Sequence, residues 1–108
     1  MAVSEDFLEF VLEQLAPAGQ LKPKRMFGGV GLYASGLFFA ILDDDTLYLK
    51  GDAALKPAFE AAGSHPFDPF GEGKPMAYWS APAEAMDDPE LLVEWARRSM
   101  AVAARKKR

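Results

Sequence analysis

The stretch Arg25 to Lys50, RMFGGVGLYASGLFFAILDDDTLYLK, constrains the fold most, because it holds two tight reversals that can be checked against each other. Asp43-Asp44-Asp45 reads as a three-residue hairpin loop. Ser35-Gly36 reads as a two-residue one, with Gly36 free to take a positive φ. The first loop sets Leu42 opposite Thr46, Ala40 opposite Tyr48 and Phe38 opposite Lys50. The second sets Tyr33 opposite Phe38, Leu32 opposite Phe39, Gly31 opposite Ala40 and Val30 opposite Ile41. Both turns assign each residue to the same side of the pleat. One face, Val30, Leu32, Phe39, Ile41, Leu47 and Leu49, is wholly apolar and is expected to face the core. The other, Gly31, Tyr33, Phe38, Ala40, Leu42, Thr46, Tyr48 and Lys50, is mixed and rich in rings. The stretch is therefore expected to be a three-stranded antiparallel meander.

The flanks supply helices. Ser4 suits an N-cap, with Glu5 and Asp6 in the first turn, and Phe7, Phe10, Val11 and Leu15 recur at helical spacing before Pro17 and Gly19 end the run. Gln20 to Lys24 reads as a link. Asp52 or a neighbour caps a short helix that ends at Gly63, with Pro57 near its first turn. His65 to Phe70, interrupted by prolines, reads as an edge strand, Gly71 to Pro75 as a turn and Met76 to Ser80 as a fifth strand. Ala81 to Met86 connects it to Asp88-Pro89, an N-cap acid followed by a first-turn proline, which starts the longest helix. The expected fold is α+β, a two-layer arrangement with a mainly antiparallel five-stranded sheet in α-β-β-β-α-β-β-α order, packed by helices. Residues 1–108 are expected to form one domain with a short basic C-terminal tail.

Composition narrows the function classes. Half of the 108 residues are apolar, enough for a packed core. With no cysteine, disulfide and thiol chemistry are excluded. No basic segment precedes an apolar run at the start, and no uncharged stretch reaches the ~20 residues of a membrane-spanning helix. A soluble, cytoplasmic protein without membrane contact is expected. Residues 1–96 carry six bases against sixteen acids, a net of −10, while Arg97 to Arg108 holds the other six bases and no acid. An acidic body repels a phosphate backbone, so weak or no direct nucleic-acid binding is expected, with the Arg105-Lys106-Lys107-Arg108 tail as its one candidate site.

The motifs that suggest chemistry fail on context. Gly29-Val-Gly31-Leu-Tyr-Ala34 has the letters of a dinucleotide fingerprint, but the chain continues as strand where a helix is required. Around Gly71-Glu72-Gly73-Lys74, a phosphate loop would need Gly at Asp68 and Ser or Thr at Pro75. Asp43 to Asp45 suits a solvated turn better than a metal site, and His65 is the lone histidine. No catalytic residue, metal ligand or cofactor is expected, and the protein is read as a non-enzyme. The candidate partner-binding residues are Tyr33, Phe38, Tyr48 and Lys50 on the mixed face, joined by Arg25 and Phe27 if no bulge intervenes. Aromatics and arginine concentrate at protein interfaces. A protein partner or a homodimer through this face is expected. A small-ligand or enzymatic pocket near Gly28 to Gly31 and Tyr78-Trp79 is the alternative.

Several stretches resemble the N-terminal domain of the TfoX/Sxy family: Arg25-Met26-Phe27-Gly28-Gly29-x-Gly31-x-Tyr33, Leu47-Tyr48-Leu49-Lys50, Phe59-Glu60-Ala61-Ala62-Gly63, Tyr78-Trp79, and Asp88-Pro89 leading to Trp95-Ala96-Arg97. Ala77 stands where proline is common in the family. The resemblance implies a two-layer α+β fold and a role in bacterial transcription regulation, the founding members promoting competence genes alongside a cyclic-AMP receptor protein. Those members carry a second domain, and this sequence ends after the first. The implied partner is the transcription machinery or one of its regulators.

Overall fold

A computed structural model describes residues 3–26, 28–68, 73 and 76–106. Helix α1 (Glu5–Leu15) starts where the Ser4 hydroxyl accepts the Phe7 N–H at 3.1 Å. It runs into a 3₁₀ turn at Ala16–Ala18, which Gly19 closes at φ 139°. Strands β1 (Leu21–Met26), β2 (Gly29–Ala34), β3 (Leu37–Asp43) and β4 (Thr46–Lys50) follow. Asp52 accepts the Leu55 N–H at 3.0 Å in the turn that leads into α2 (Lys56–Ala61), whose N-cap position, Leu55, has no side-chain cap; Pro57 lies in its first turn, and Gly63 follows its end at φ 82°. After β5 (Pro66–Phe67), β6 (Met76–Ser80) and the single turn α3 (Ala83–Met86) comes α4 (Pro89–Lys106). Its cap is Asp88 Oδ1, which accepts the N–H groups of Glu90 and Leu91 at 3.2 and 3.3 Å.

The strands form one antiparallel sheet in the order β1-β2-β3-β4-β6-β5. It has six strands rather than five. The additional one is β1, whose Leu-Lys-Pro-Lys-Arg-Met sequence lacks the apolar alternation of a strand and so reads as a link. Only an edge position suits such a sequence: proline cannot donate to a second neighbour, and charged side chains keep a foreign strand from pairing. The opposite edge, β5, is short and begins with Pro66. Both sheet edges are therefore poor templates for further strands.

Two details of register differ from expectation. The loop between β3 and β4 has two residues, with Asp44 and Asp45 at φ 50° and 51°, and Asp43 pairs with Thr46. Aspartate tolerates this left-handed conformation better than most residues, which makes the tighter turn accessible. Between β2 and β3 a bulge breaks the register: Tyr33 pairs with Phe38 but Leu32 with Ala40. Phe39 and Ala40 consequently both enter the core, as does Leu42, while Ile41 turns to the opposite face. The expected positions of Ala40, Leu42 and Ile41 are thus reversed. The two displacements cancel along β4, where Leu47 and Leu49 point inward as expected.

The helices lie on the inward face. The core joins Val11 and Leu15 of α1, Phe59 of α2, Ala85 of α3 and Leu92, Trp95 and Ala96 of α4 to Val30, Leu32, Phe39, Leu42, Leu47 and Leu49. Helix α4 crosses β3 and β4. Phe59 stacks on Trp79 with ring centroids 5.5 Å apart and also packs on Trp95 at 4.8 Å. Each fully buried leucine or phenylalanine contributes about 1.5–3 kcal/mol. Arg105 of α4 closes the end of the layer with a 2.8 Å ion pair to Asp52.

At Gly29 the backbone is approached so closely by the Leu42 carbonyl that a Cβ has no space. Because that obstacle is main chain, Gly29→Ala is expected to lower stability by about 1–3 kcal/mol in urea unfolding. An unchanged midpoint would mean that the β2–β3 contact is looser than described.

Candidate contact face and adjoining cavity

The outward face is built in cross-strand rows. In the first, Lys22 of β1 lies opposite Tyr33 of β2, and Tyr33 opposite Phe38 of β3. Lys50 of β4, opposite Tyr78 of β6, extends its Nζ over both the Tyr78 ring (5.5 Å to the centroid) and the Phe38 ring (6.0 Å). Tyr33 and Phe38 are stacked at 5.0 Å with 20° between planes, and Phe38 meets Tyr78 at 5.7 Å. The second row runs Lys24, Gly31, Ile41, Tyr48 and Ser80. Tyr48 packs on Phe67 at 4.5 Å and meets His65 edge-on at 5.8 Å.

These residues form a thin apolar layer of their own. Ile41, Phe67 and Tyr78 are buried by Phe38 and Tyr48, and no helix residue enters this cluster among the described residues. Tyr33, Phe38, Tyr48 and Lys50 remain half-buried at its surface. Gly31 lets two side chains lie close over the strand, since the Met26 methyl and the Phe38 ring lie 2.7 and 2.8 Å from where its Cβ would be. Each cation–π contact of Lys50 adds roughly 0.5–1 kcal/mol.

The surroundings shift the titrating groups. Burial, reinforced by the neighbouring Tyr33, pushes the Tyr78 hydroxyl up to about 12. Burial and then the Asp43 carboxylate raise Tyr48. Lys50 is lowered, first by burial and then by the charge on Lys106. Among the described residues no carboxylate pairs with Lys22, Lys24 or Lys50.

The structure thus brings together four of the six residues expected at a contact face: Tyr33, Phe38, Tyr48 and Lys50. Arg25 is a correction. It pairs with Val30, whose side chain is in the core, so strand alternation puts Arg25 on the side opposite the rings, exposed at the sheet edge. Phe27 lies outside the described residues. Lys22, Lys24, Ile41, Phe67 and Tyr78 belong to the face but escape sequence reasoning. Tyr78 was within reach, because alternation in β6 separates Tyr78 and Ser80 from Trp79 once the register with β4 is known.

Other candidates resolve as structural. Gly29–Ala34 is a strand followed by strand β3, not by the helix a dinucleotide site requires. Trp79 packs inward on Phe59 while Tyr78 faces outward, so the pair does not line a single cavity beside the glycines. Asp45 accepts the Ser4 N–H at 2.8 Å, and no acidic or histidine cluster among the described residues is arranged to hold a metal. The buried Ser80 hydroxyl accepts the His65 N–H at 3.0 Å and lies 3.3 Å from its Nδ1, fastening β5 to β6. The Gly71 to Pro75 turn lies outside the described residues except for Gly73, whose N–H donates to Asp68 at 3.0 Å. An open cavity of about 570 Å³ lies beside the ring face, between β1 and the Ser35-Gly36 turn, with Tyr33 as one wall. Among the described residues no helix is long and apolar enough to cross a membrane.

The buried tyrosine gives a pH test. The folded state holds the Tyr78 proton more tightly than the unfolded chain, whose tyrosines titrate near 10. That stabilisation is complete below about pH 10 and disappears as pH rises toward 12. Of the three tyrosines, one is expected to ionise only near 12 when tyrosinate absorbance is followed, and Tyr78→Phe should remove that late step. Three tyrosines ionising together near 10 would contradict the burial of Tyr78.

Comparison with known proteins matches the sequence of this chain to a family. The TfoX N-terminal domain matches residues 13–103, a span from within α1 to near the end of α4. Over 65 residues the chain is 32% identical to a protein of Aliivibrio fischeri described as DNA transformation protein TfoX1. That alignment covers 60% of this chain and 29% of the relative, so the chain spans less than a third of that protein's length. The chain belongs to the TfoX N-terminal domain family.

Proposed function

We propose that this domain is a non-enzymatic, cytoplasmic regulatory module that acts in competence-related gene control through protein contacts made by the face of Tyr33, Phe38, Tyr48 and Lys50. The observation that carries the reading is the one-sided sheet. Its helices cover the inward face, whereas the outward rings are half-buried and bordered by unpaired lysines among the described residues. Aromatic side chains held in place by their neighbours make good interface anchors, because little freedom is lost when a partner covers them. The relative's description as a DNA transformation protein supports the competence connection. The acidic balance of the first 96 residues favours a protein partner over duplex DNA, and Arg105, one of the tail cations, is already paired with Asp52. A homodimer, if it forms, would use the same face, since both sheet edges resist strand addition.

The test is capture from an extract of the native cell, scored for polymerase subunits and transcription factors, with sedimentation as the measure of self-association. Combined Tyr33→Ser and Tyr48→Ser replacement, with folding verified by circular dichroism, is expected to reduce capture at least tenfold, as removal of central aromatic anchors does (about 2 kcal/mol or more each). Undiminished capture and self-association by the folded variant would remove this face from the account.

A further inference from the structure

The cavity beside β1 joins an aromatic ring, two lysines and two neutral polar side chains. Tyr33 stacks on Phe38 on one side, so its other ring face looks toward β1, from which Lys22 and Lys24 line the same cavity. Both lysines are exposed and unpaired among the described residues. Gln20 and Ser35 add an amide and a hydroxyl. A cavity of about 570 Å³ is of the size that holds small organic ligands, roughly 300–1,000 Å³.

We propose that this cavity binds a nucleotide, with the base stacked on the free face of Tyr33 and the phosphate between Lys22 and Lys24. A flat ring entering here extends the existing Tyr33–Phe38 stack by one member, and aromatic stacking is tolerant of which base it receives. Lys22 and Lys24 are alternate residues of one strand and project from the same side of β1, so both ammonium groups border the cavity and favour an anion there. Ser35 and Gln20 lie at the turn end of the cavity, beyond Tyr33, where a hydroxyl and an amide are offered to a base edge. Free nucleotide and the end of a single strand offer the same chemistry. The free form is favoured, because a longer strand would have to cross the acidic remainder of the domain. This inference rests on the cavity and not on the partner reading.

Titration of the full chain with nucleoside monophosphates, followed by amide chemical shifts, tests it. Saturable shifts are expected at Lys22, Lys24 and Tyr33 to Gly36. Ribose 5-phosphate, which lacks the base, and adenosine, which lacks the phosphate, should each bind at least about tenfold more weakly. Lys24→Glu, a change at an exposed position, should weaken nucleotide binding about tenfold or more through charge reversal. Tyr33→Leu should weaken nucleotide binding similarly while leaving the weak binding of ribose phosphate unchanged. Tyr48→Ser, which lies outside the cavity, should alter nucleotide affinity little, so loss of partner capture and loss of nucleotide binding are separable. A short oligothymidylate that binds more tightly than the mononucleotide, through the same residues, would overturn the preference for free nucleotide in favour of a strand end. No saturable shift with any nucleotide, or equal binding of ribose phosphate and nucleotide, would overturn the site itself.

Discussion

The packing of α4 across β3 and β4 is the interaction on which the rest of this structure depends. It draws the other helices to the same side and gives the sheet one deep face, organised around Phe39, Phe59, Leu92 and the two tryptophans. The β2–β3 bulge serves that packing. By turning both Phe39 and Ala40 inward, it supplies a large and a small side chain where strict alternation would supply one. The consequence appears on the other face, where Ile41 is displaced outward and must be covered. The rings of Phe38, Tyr48, Phe67 and Tyr78 cover it, and they come from the sheet itself.

This arrangement explains which parts of the fold are legible in the sequence. Caps are local, so Ser4 and Asp88-Pro89 announce their helices with little help from the remainder of the chain, whereas the Asp52 carboxylate closes only the turn before α2. Burial of Phe39, Leu47 and Leu49 is legible because apolar residues alternate around two recognisable turns. The register is less so. A bulge has no signature in the residues beside it, and three consecutive aspartates fit a two-residue or a three-residue loop equally well. Each displaces alternation by one position, so their effects oppose each other: β4 emerges as expected while the second half of β3 is inverted. Strand β1 is hidden for another reason. Its role is to guard an edge, and the Pro, Lys and Arg residues that do so erase the apolar pattern by which strands are recognised.

The candidate site shows the same division. Tyr33, Phe38, Tyr48 and Lys50 were reachable from alternation within the hairpins. The position of Arg25 and the lysine-lined cavity are not legible in the sequence, because both depend on β1, which lacks the apolar pattern of a strand. The His65–Ser80 contact joins residues fifteen apart in the chain and depends wholly on β5 meeting β6. Membership in the TfoX N-terminal domain family agrees with the two-layer architecture. The glycines that resemble a nucleotide-binding motif serve close packing instead, at Leu42 for Gly29 and at Met26 and Phe38 for Gly31.

Tyr33, Phe38 and Tyr48 reach solvent on the outer face, whereas Phe39 and Phe59 are sealed on the inner one. Relaxation enhancement of aromatic protons by a soluble paramagnetic agent measures this directly. Strong enhancement at Tyr33, Phe38 and Tyr48, with little at Phe39 and Phe59, is the predicted result. Equal protection of both sets would show a second layer over the outer face, and the account of an available contact surface would be wrong.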